Sequence, residues 1–488
     1  MRLIVVERPE RWPFRIPGVE VVAAGDYLTS AHWAGSRRGI VLNFCRSYAE
    51  NTTGYYVSLL AAARGHRPLP SVTTLQGLQV ASVVRIVSED LHDLVQSSLR
   101  RLRSRRFELS VYCGRNPAAR YARLSRALFS HFPSPWLRAR FERDADGVWH
   151  LLGVRAIGAS EVPEGHREIV VEATEAFLAR PRSRASRRRE WRYDLALLWS
   201  EDDPQPPSDA AAIRKMVKAA ERRGIRAEVI GPDDFGRLEI YDALFIRETT
   251  HVGHHTHRFA LRAEAAGLVV IDDPESIVRC TNKVYQAELF RRHGVAAPGT
   301  LVVHEGNRET VATQVGLPCV LKDPTGAFSS GVVKVKTPEE LEAALDRFLA
   351  ASELAIAQAW TPSAFDWRIG VLDGEPLFAA RYHMARGHWQ IIRPGGSAGW
   401  RYGKVEAVAV EEAPDDVVAL ALTAAGLIGE GLYGVDLKAL QDGRIVVTEV
   451  NDNPNIDAGQ EDAVLGDALY DRIADHFLRR LEARGRRP

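Results

Sequence analysis

The chain has 488 residues, of which 45% are hydrophobic and 26% are charged, with 38 glycines and 25 prolines. This ordinary globular balance excludes disorder, collagen and a long coiled coil, and it predicts about three domains. No apolar run reaches the roughly 20 residues that a membrane helix needs, and the first residues lack a signal peptide's apolar region. The four cysteines stand far apart without a CxxC pair, which argues against a disulfide framework and a zinc site. We therefore expect a cytoplasmic protein.

The net charge of +1 hides an asymmetry along the chain. Residues 1–190 carry 30 arginines, no lysine and 18 acidic residues, a balance of +12, whereas the remainder carries 34 basic and 45 acidic residues, a balance of −11. A basic first part indicates an anionic partner, such as nucleic acid, the ribosome or an acidic protein. Lysine is rare throughout, with eight residues against 56 arginines, so each lysine deserves a specific explanation.

Strand-like and helix-like stretches mix over residues 1–180 and predict an N-terminal α/β domain. Strands are expected at 3–6, 20–23, 39–44 and 107–113, and helices at 55–64, 89–105 and 118–132. The arginines between Arg100 and Arg106 would then end the second helix, where cations favour the helix dipole. The run at 181–191 is basic without apolar periodicity, which predicts a solvated linker, with a nucleic-acid arm as the alternative.

Residues 192–275 alternate strands with helices of 10–15 residues, which predicts βαβ units and a small parallel sheet. No G-x-G-x-x-G follows the first of these strands, which argues against a dinucleotide site. Residues 276–488 have the pattern of a larger α+β unit that ends in an amphipathic helix at 464–482.

The strongest motif lies in two β-rich runs joined by Asp442-Gly443, a dipeptide that predicts a two-residue hairpin turn. That turn would place Asp436 opposite Glu449 and Gly434 opposite Asn451. Because side chains alternate along strands, Asp436, Glu449 and Asn451 would share one face. Directly opposed carboxylates repel unless something positive lies between them, and hard oxygen ligands suit Mg²⁺. The alternative is a solvent-facing hairpin, against which the apolar residues of the other face count.

A second motif is the small, flexible loop from Thr325 to Gly331, which follows Lys322 between two strands. Backbone N–H groups of such a loop can close over phosphates. Lys283 and Lys322 are candidates for phosphate contacts because this chain otherwise uses arginine. Taken alone, the loop is equally well explained by an ordinary hairpin.

A third motif is the strand end Gln358-Ala359-Trp360, followed by Asp366 and Arg368. The strand edge would offer backbone groups to a purine, and Trp360 would flank its ring. Arg368 and Arg381 fall on neighbouring strands and could face phosphate or carboxylate. Singly, such arginines more often form structural ion pairs.

In this order the three motifs resemble an ATP-grasp ligase, and the run Asn451-Asp-Asn-Pro-Asn455 resembles RimK-type glutamate ligases. The segments 43–48, 54–60 and 381–390 resemble a RimK subgroup with an additional RimK-like ATP-grasp N-terminal domain. The resemblance implies an α/β and α+β multidomain fold. Its expected parts are an N-terminal domain at 1–180, the basic linker, a pre-ATP-grasp domain at 192–275, and an ATP-grasp domain of two α+β subdomains at 276–488.

The resemblance further implies an ATP-dependent carboxylate–amine ligase that forms an amide through an acyl phosphate, with Mg²⁺ or alternatively Mn²⁺. An amino acid such as glutamate and a peptide or protein amine are the implied substrates. The implied ATP-binding residues are Lys283, Lys322, Ser329, Ser330, Gly331, Gln358, Ala359, Trp360 and Asp366. The implied metal ligands are Asp436, Glu449 and Asn451, and Arg247, Arg368 and Arg381 are the candidates for gripping the substrate.

The segment 388–396 departs from the RimK form, so glutamate specificity does not transfer directly. The alternative function is a ribosome- or nucleic-acid-associated binding protein with a degenerate ATP-grasp half, against which the intact acidic and lysine positions count. With a ligase, the basic first part is better explained as a docking surface for an acidic peptide or protein than as a nucleic-acid site. We also expect a homo-oligomer and no membrane association.

Two further features keep open alternatives. The histidines between His251 and His257 are expected to form a structural loop or to line the substrate cleft, with a transition-metal site as the alternative. Cys45 is expected to be a buried, inert thiol, with a reactive thiol beside Arg46 as the alternative.

Overall fold

The computed structural model describes residues 1–34, 39–178, 191–326, 331–386, 388–394 and 400–486. The chain forms two compact units, the first made of residues 1–189 and 232–241 and the second of residues 190–231 and 242–488. The predicted basic linker, apart from Trp191, lies outside the described residues. Within the described ranges, no helix is long and apolar enough to cross a membrane.

The first unit begins with a parallel sheet of strand order β2-β1-β3-β4. Its strands are β1 (Arg2–Val6), β2 (Glu20–Ala23), β3 (Ile40–Asn43) and β4 (Arg67–Leu69). The central strands β1 and β3 are almost entirely buried, as their unbroken apolar runs predict for a covered parallel sheet. At the end of β3, the Asn43 amide donates to the Gly54 carbonyl at 2.7 Å and to the Ser58 hydroxyl at 2.9 Å, which joins the strand to the following helix.

The rest of the first unit adds an antiparallel sheet of strand order β5-β6-β7. Its strands are β5 (Arg106–Tyr112), β6 (Trp136–Arg143) and β7 (Trp149–Ala156). The helices of this unit are α1 (Ala24–Thr29), α2 (Ala31–Ala34), α3 (Thr53–Ala63), α4 (Val72–Gln79), α5 (Ala81–Asp90), α6 (His92–Leu99), α7 (Ala122–His131) and α8 (Arg167–Leu178).

The single helix predicted at 89–105 is wrong. Two helices, α5 and α6, meet at Leu91, whose backbone (φ −95°, ψ 7°) leaves helical geometry. Helix α6 then ends at Leu99, before the arginine-rich segment. Like charges on successive helical turns destabilise a helix, so the arginines continue as an irregular connection to β5.

The second unit contains the parallel sheet predicted for residues 192–275, with strand order β11-β10-β8-β9. Its strands are β8 (Tyr193–Leu198), β9 (Ile225–Ile230), β10 (Ala243–Ile246) and β11 (Val269–Ile271). One core joins this sheet to helix α9 and the C-terminal helix α16, through buried residues such as Met216, Phe245 and Phe477. The helices of this unit are α9 (Ala210–Arg222), α10 (His255–Ala265), α11 (Pro274–Cys280), α12 (Lys283–His293), α13 (Val311–Gln314), α14 (Pro338–Ala351), α15 (Asp415–Gly426) and α16 (Asp467–Arg486).

Two antiparallel sheets follow in the second unit. The first has strand order β12-β15-β13-β14, formed by β12 (Thr300–Val303), β13 (Cys319–Lys322), β14 (Val332–Val335) and β15 (Ala355–Ala359). The second has strand order β20-β17-β16-β21-β22, formed by β16 (Phe365–Leu372), β17 (Glu375–His383), β20 (Val405–Val408), β21 (Leu432–Ala439) and β22 (Ile445–Asp452). Strands β18 (Ile392–Pro394) and β19 (Trp400–Tyr402) pair separately.

The five-stranded sheet is apolar on one face and polar on the other. Val435, Leu437 and Val450 are buried in the core that includes helix α15. Because strand side chains alternate, the intervening Asp436 and Glu449 project from the opposite face.

The hairpin between β21 and β22 turns differently from the sequence prediction. The Leu440 N–H donates to the Arg444 carbonyl at 2.8 Å, and the Gly443 N–H donates to the Leu440 carbonyl at 3.0 Å. The loop therefore has three residues, with Gly443 at φ +83°, the left-handed conformation that such loops assign to glycine. The two-residue turn at Asp442-Gly443 is wrong.

A bulge nevertheless restores the predicted pairing at the site. Asp436 pairs with Glu449, whereas Leu437 pairs with Val447, so Thr448 is the additional residue on β22. This one-residue insertion cancels the shift that the longer loop introduces. Asp436 opposite Glu449 and Gly434 opposite Asn451 are therefore confirmed as cross-strand pairs.

Candidate active site

A cavity of about 650 Å³ lies within the second unit. The polar face of the five-stranded sheet, strands β13 and β15, and the segments 204–209, 249–251 and 451–461 contribute to its wall. Both predicted lysines and all three predicted metal ligands line it. The cavity therefore brings together these five predicted residues, of which Lys283 and Asn451 are 168 positions apart in the sequence.

The opposed carboxylates each carry a cationic partner. Arg368 on β16 donates from Nε and Nη2 to the two oxygens of Asp436, both at 2.7 Å. The Lys283 ammonium donates to Glu449 Oε1, also at 2.7 Å. The Asn451 amide donates to Asp436 Oδ2 at 3.1 Å. These contacts offset the repulsion that two facing carboxylates would otherwise cause.

Burial and neighbouring charges shift the pKa values of this cluster in opposite directions. Burial raises the pKa of Asp436 although Arg368 opposes it. Burial would also raise the pKa of Glu449, but Lys283 and Lys322 outweigh it and hold that pKa below its ordinary value. Burial, with Lys283 and Lys438 nearby, lowers the pKa of Lys322 to about 8. The protonation states of Asp436, Glu449 and Lys322 therefore depend on burial and on the charged side chains around them.

The donor set at the hairpin fits Mg²⁺ bound together with a phosphate ligand. Two carboxylates and an amide on one sheet face are hard oxygen ligands, and Mg²⁺ usually completes its shell with water and phosphate oxygens. The described residues contain no group of three or more His, Cys, Asp or Glu side chains that could hold a metal ion.

The loop after β13 is fastened to Lys283. The Lys283 ammonium donates to the Gly326 carbonyl at 2.7 Å, and its backbone N–H donates to the Pro324 carbonyl at 2.8 Å. Thr325 and Gly326 line the cavity. Gly331 closes the loop at φ +68°, where a side chain would come within 2.8 Å of the Asp323 Cβ. The predicted loop residues Ser329 and Ser330 lie outside the described residues.

The strand end that is predicted to meet a purine base, Gln358-Ala359-Trp360, lines the cavity. Two of its hydrogen-bond donors are already engaged. The Gln358 amide donates to the Thr300 hydroxyl at 3.1 Å, and the Ala359 N–H donates to the Gly299 carbonyl at 2.8 Å. A bound base therefore cannot use the Ala359 N–H without breaking that bond. The Lys334 ammonium lies 3.4 Å from the centroid of the Trp360 ring. The centroids of the Trp360 and Trp389 rings are 5.2 Å apart.

Lys438 is a cavity residue that the sequence analysis missed. Its ammonium contacts Asp366 and donates to the Ser363 hydroxyl at 3.0 Å, while Ser363 donates to Asp366 at 2.8 Å. The signal was available, because lysine is rare in this chain and Lys438 stands two residues after Asp436 on the same strand face. Predicted Asp366 is thus held by a third lysine.

Tyr382 and Glu461 were also missed. The Arg368 guanidinium lies 4.6 Å from the centroid of the Tyr382 ring, and the Tyr382 hydroxyl donates to Glu461. Glu461 is buried and also accepts the Asp457 N–H at 2.8 Å. Burial raises the pKa of Asp457 to about 6. Glu461 lies 25 residues beyond Asp436 in an irregular segment, where periodicity gives no signal.

The structure does not bring Arg247 to the cavity wall. Its side chain is fully buried and donates to the Ser208 hydroxyl, the Asn453 amide oxygen and the carbonyls of Pro207 and Pro454, at 2.6–3.1 Å. Arg247 therefore fastens the end of β10 to the segment after β22. These contacts give Arg247 a positioning role, and its predicted contact with the substrate stays a prediction.

Arg381 likewise lies away from the cavity. It pairs across strands with Trp367, and its guanidinium lies 4.9 Å from the Trp367 ring and 5.3 Å from the Phe365 ring. Trp367 belongs to the apolar face of the sheet, whereas Arg368 projects from the polar face. Of the three arginines predicted to grip the substrate, Arg368 lines the cavity, and the substrate contacts of Arg247 and Arg381 stay predictions.

The histidine run divides between the two non-metal interpretations. His251 lines the cavity, while His255 pairs with Glu248 at 2.5 Å. In the first unit, Cys45 is buried with a free thiol, and burial raises its pKa well above the ordinary value. An unreactive thiol follows from that environment.

Two protein-family models match the chain. The model of the RimK-like ATP-grasp N-terminal domain matches residues 24–173, and that of the D-Ala-D-Ala ligase C-terminus matches residues 295–458. A probable alpha-L-glutamate ligase from Parasynechococcus marenigrum is 28% identical over 341 residues, covering 64% of this chain and 68% of the relative. A D-alanine–D-alanine ligase from Alkalilimnicola ehrlichii is 26% identical over 269 residues, covering 54% and 85%. The predicted resemblance to RimK-type ATP-grasp ligases with an additional N-terminal domain is confirmed by these matches.

The chain also resembles solved structures. The D-alanine–D-alanine ligase from Bacillus anthracis covers 60% of this chain and 99% of its own, with 16% identity and a TM-score of 0.48. The predicted fold class and the predicted enzyme class, a carbon–nitrogen ligase joining a carboxylate to an amine, are confirmed. The alternative of a binding protein with a degenerate ATP-grasp half gains no support from these relatives.

Proposed function

We propose that this ligase uses Mg²⁺ and ATP to join the carboxylate of an amino acid or peptide to an amine through an acyl phosphate. The observation that carries the proposal is the charge arrangement in the cavity. Asp436 and Glu449 oppose each other on adjacent strands, each held by one cation. Such a balanced cluster can accept a metal and a polyphosphate together.

The nucleotide would lie along the lysine-rich side of the cavity. Lys283 and Lys322 would contact its phosphates, and the loop from Thr325 to Gly331 would close over them. The base would lie against Trp360, with Gln358 and Ala359 at the strand edge and Asp366 nearby. The Lys283–Glu449 pair at 2.7 Å supports this, because an ammonium next to the metal carboxylates also reaches phosphate.

The metal would be held by Asp436, Glu449 and Asn451. When bound, Mg²⁺ neutralises charge that develops on the phosphate oxygens. The protein's own part is to keep those three side chains in place. Arg368 orients Asp436 through two hydrogen bonds, and Tyr382 packs on the Arg368 guanidinium.

The proposed chemistry has two steps. A substrate carboxylate oxygen attacks the γ-phosphorus of ATP, and the bond from that phosphorus to the β–γ bridging oxygen breaks. ADP departs, and the substrate carboxylate has become an acyl phosphate. An amine then attacks the acyl carbon, inorganic phosphate leaves, and the amine loses a proton as the amide forms. Cations around the phosphates stabilise the first step, and a closed cavity limits hydrolysis of the acyl phosphate.

Glutamate with a peptide or protein amine is the substrate pair that we favour. Curated relatives are named as probable alpha-L-glutamate ligases, and a relative named D-alanine–D-alanine ligase keeps other amino acids open. The part of the cavity wall that includes Asp209, Asp457 and Glu461 is acidic, which favours an ammonium-bearing substrate. An acidic peptide or protein would dock on the basic N-terminal part.

A coupled ADP-release screen over pairs of carboxylates and amines, with mass detection of products, tests this function. We expect one pair to release ADP and yield a product lighter by one water than the sum of both substrates. Asp436→Asn serves as the inactive control, which separates ligation from contaminating ATPase. Release of AMP instead of ADP from every active pair would contradict the proposal.

A further inference from the structure

The first unit exposes a run of arginines between α6 and β5. Helix α6 ends at Leu99, and β5 begins at Arg106. This segment carries five exposed arginines. We call them the arginine run: Arg100, Arg101, Arg103, Arg105 and Arg106. Because the helix ends before them, its dipole accounts for at most the first of these charges.

The arginine run is nearly without acidic partners. Among the described residues, Arg106 has an ion pair, with Glu142 at 3.2 Å, whereas Arg100, Arg101, Arg103 and Arg105 have no carboxylate within 4.0 Å. Several arginines of the second unit do have acidic partners, as in the pairs Arg222–Asp471, Arg291–Glu288 and Arg308–Glu342. Closely spaced unpaired cations repel each other and attract an anionic partner.

We propose that the arginine run docks an acidic segment of the ligase's peptide or protein substrate. The proposal deepens the proposed function, because it names the class of partner that the ligase would recruit. Guanidinium groups bind carboxylates through two parallel hydrogen bonds. The run places five arginines within seven residues, so a segment with several acidic residues offers it the complementary charge.

A peptide explains this surface better than a nucleic acid does. Proteins that bind single strands without sequence preference combine cations with exposed aromatic rings on which bases stack. Among the described residues of the first unit, the large exposed aromatic side chain is Tyr56, which belongs to α3 rather than to the arginine run. The run therefore offers charge without a stacking surface.

Fluorescence anisotropy with the full-length protein tests this docking surface. The probes are a labelled hexaglutamate peptide, a labelled Gly-Ser hexapeptide and a labelled 12-nucleotide oligouridine. We compare the wild type with the triple variant Arg101→Glu, Arg103→Glu, Arg105→Glu. The matched control is Arg8→Glu, Arg11→Glu, Arg15→Glu, which changes the same net charge at exposed arginines of the same unit. Thermal unfolding verifies that both variants fold.

We expect hexaglutamate to bind the wild type, to bind the arginine-run variant about tenfold or more weakly, and to bind the control within about twofold. Binding should also weaken as salt rises. Absence of hexaglutamate binding, equal losses in both variants, or tighter binding of oligouridine than of hexaglutamate would each overturn the proposal.

The readout is independent of catalysis, which separates this inference from the proposed function. Asp436→Asn should bind hexaglutamate as the wild type does while releasing no ADP. If hexaglutamate binding depends on the arginine run but no substrate pair is ligated, the docking surface stands and the proposed function fails. If ligation proceeds and hexaglutamate binding does not depend on the arginine run, the proposed function stands and the docking surface fails.

Discussion

Arg368 holds Asp436 with two parallel hydrogen bonds, each 2.7 Å long, between neighbouring strands β16 and β21. This bidentate contact opposes the effect of burial, which raises the pKa of one carboxyl group of the proposed metal site. The contact also fixes the direction in which that carboxylate points. We therefore expect Arg368 to position a ligand of the proposed metal site in addition to its predicted contact with the substrate.

Substitution of Arg368 by lysine should weaken Mg²⁺ binding and so raise the Mg²⁺ concentration that the reaction requires. An ammonium cannot make both hydrogen bonds, so Asp436 would lose its fixed orientation and bind a proton more readily. We expect the Mg²⁺ concentration for half-maximal ADP release to rise about tenfold, a loss of roughly 1.4 kcal/mol. The matched control is Arg381→Lys on the opposite face of the sheet, which should stay within about twofold. Equal effects of the two substitutions would argue against the positioning role of Arg368.

Neutralising either opposed carboxylate should abolish turnover. Asp436→Asn and Glu449→Gln keep the side-chain shape but remove the charge that a metal ligand needs, so ADP release should fall by about 100-fold or more. Asp442→Asn is the control, because Asp442 is exposed on the same hairpin and pairs with Arg444. Undiminished ADP release by both carboxylate variants would remove these residues from the metal site.

The pairing of this hairpin could be predicted, but its turn could not. Asp442-Gly443 indicates a hairpin, and the apolar alternation of both strands fixes which residues face the core. The three-residue loop and the bulge at Thr448 shift the strand register in opposite directions. The incorrect two-residue turn therefore still predicts the correct cross-strand pairs. A bulge leaves no signal in a single sequence, because it is decided by packing on both strands.

Activity should decline as pH rises through the pKa of Lys322. Burial, with two neighbouring lysines, lowers that pKa to about 8, so the ammonium is half charged at pH 8, almost fully charged well below it and mostly neutral well above it. We expect kcat/KM for ATP to fall by up to tenfold per pH unit above pH 8. Lys322→Arg should move this decline beyond pH 10, since a guanidinium stays charged.

Lys336→Arg provides the control for this profile. Lys336 is exposed and directly follows β14. The same substitution there should leave the decline in kcat/KM near pH 8 in place. If the Lys322→Arg profile matches that of the wild type, another group determines the alkaline limb.

Removal of the Arg247 side chain should destabilise the second unit. Its donors satisfy the Asn453 amide and the carbonyls of Pro207 and Pro454 inside the protein, and those acceptors would be left buried without partners. We expect Arg247→Ala to lower the free energy of unfolding by about 2–4 kcal/mol in urea titrations. Arg258→Ala, at an exposed position of α10, should change it by less than about 0.5 kcal/mol. A similar small change for Arg247→Ala would contradict its structural role.

The roles of individual arginines were the least predictable part of the site. Arg247, Arg368 and Arg381 all follow or belong to strands near the proposed cavity, and the sequence contains no rule that separates a buried clamp from a cavity residue. Strand parity could have helped at one position, since Arg381 shares its face with Ala379 of the apolar core. Lys438 could have been found by the same parity from Asp436. Arg247 could not, because its partners lie 39 to 207 positions away.

The acyl phosphate is the central claim, and transfer of oxygen from carboxylate to phosphate tests it most directly. The carboxylate substrate of an active pair is labelled with ¹⁸O on both oxygens and incubated with Mg²⁺, ATP and the amine, and the released phosphate is analysed by mass spectrometry. An acyl phosphate leaves one labelled oxygen in each phosphate and one in each amide product. Unlabelled phosphate alongside amide product would contradict the account.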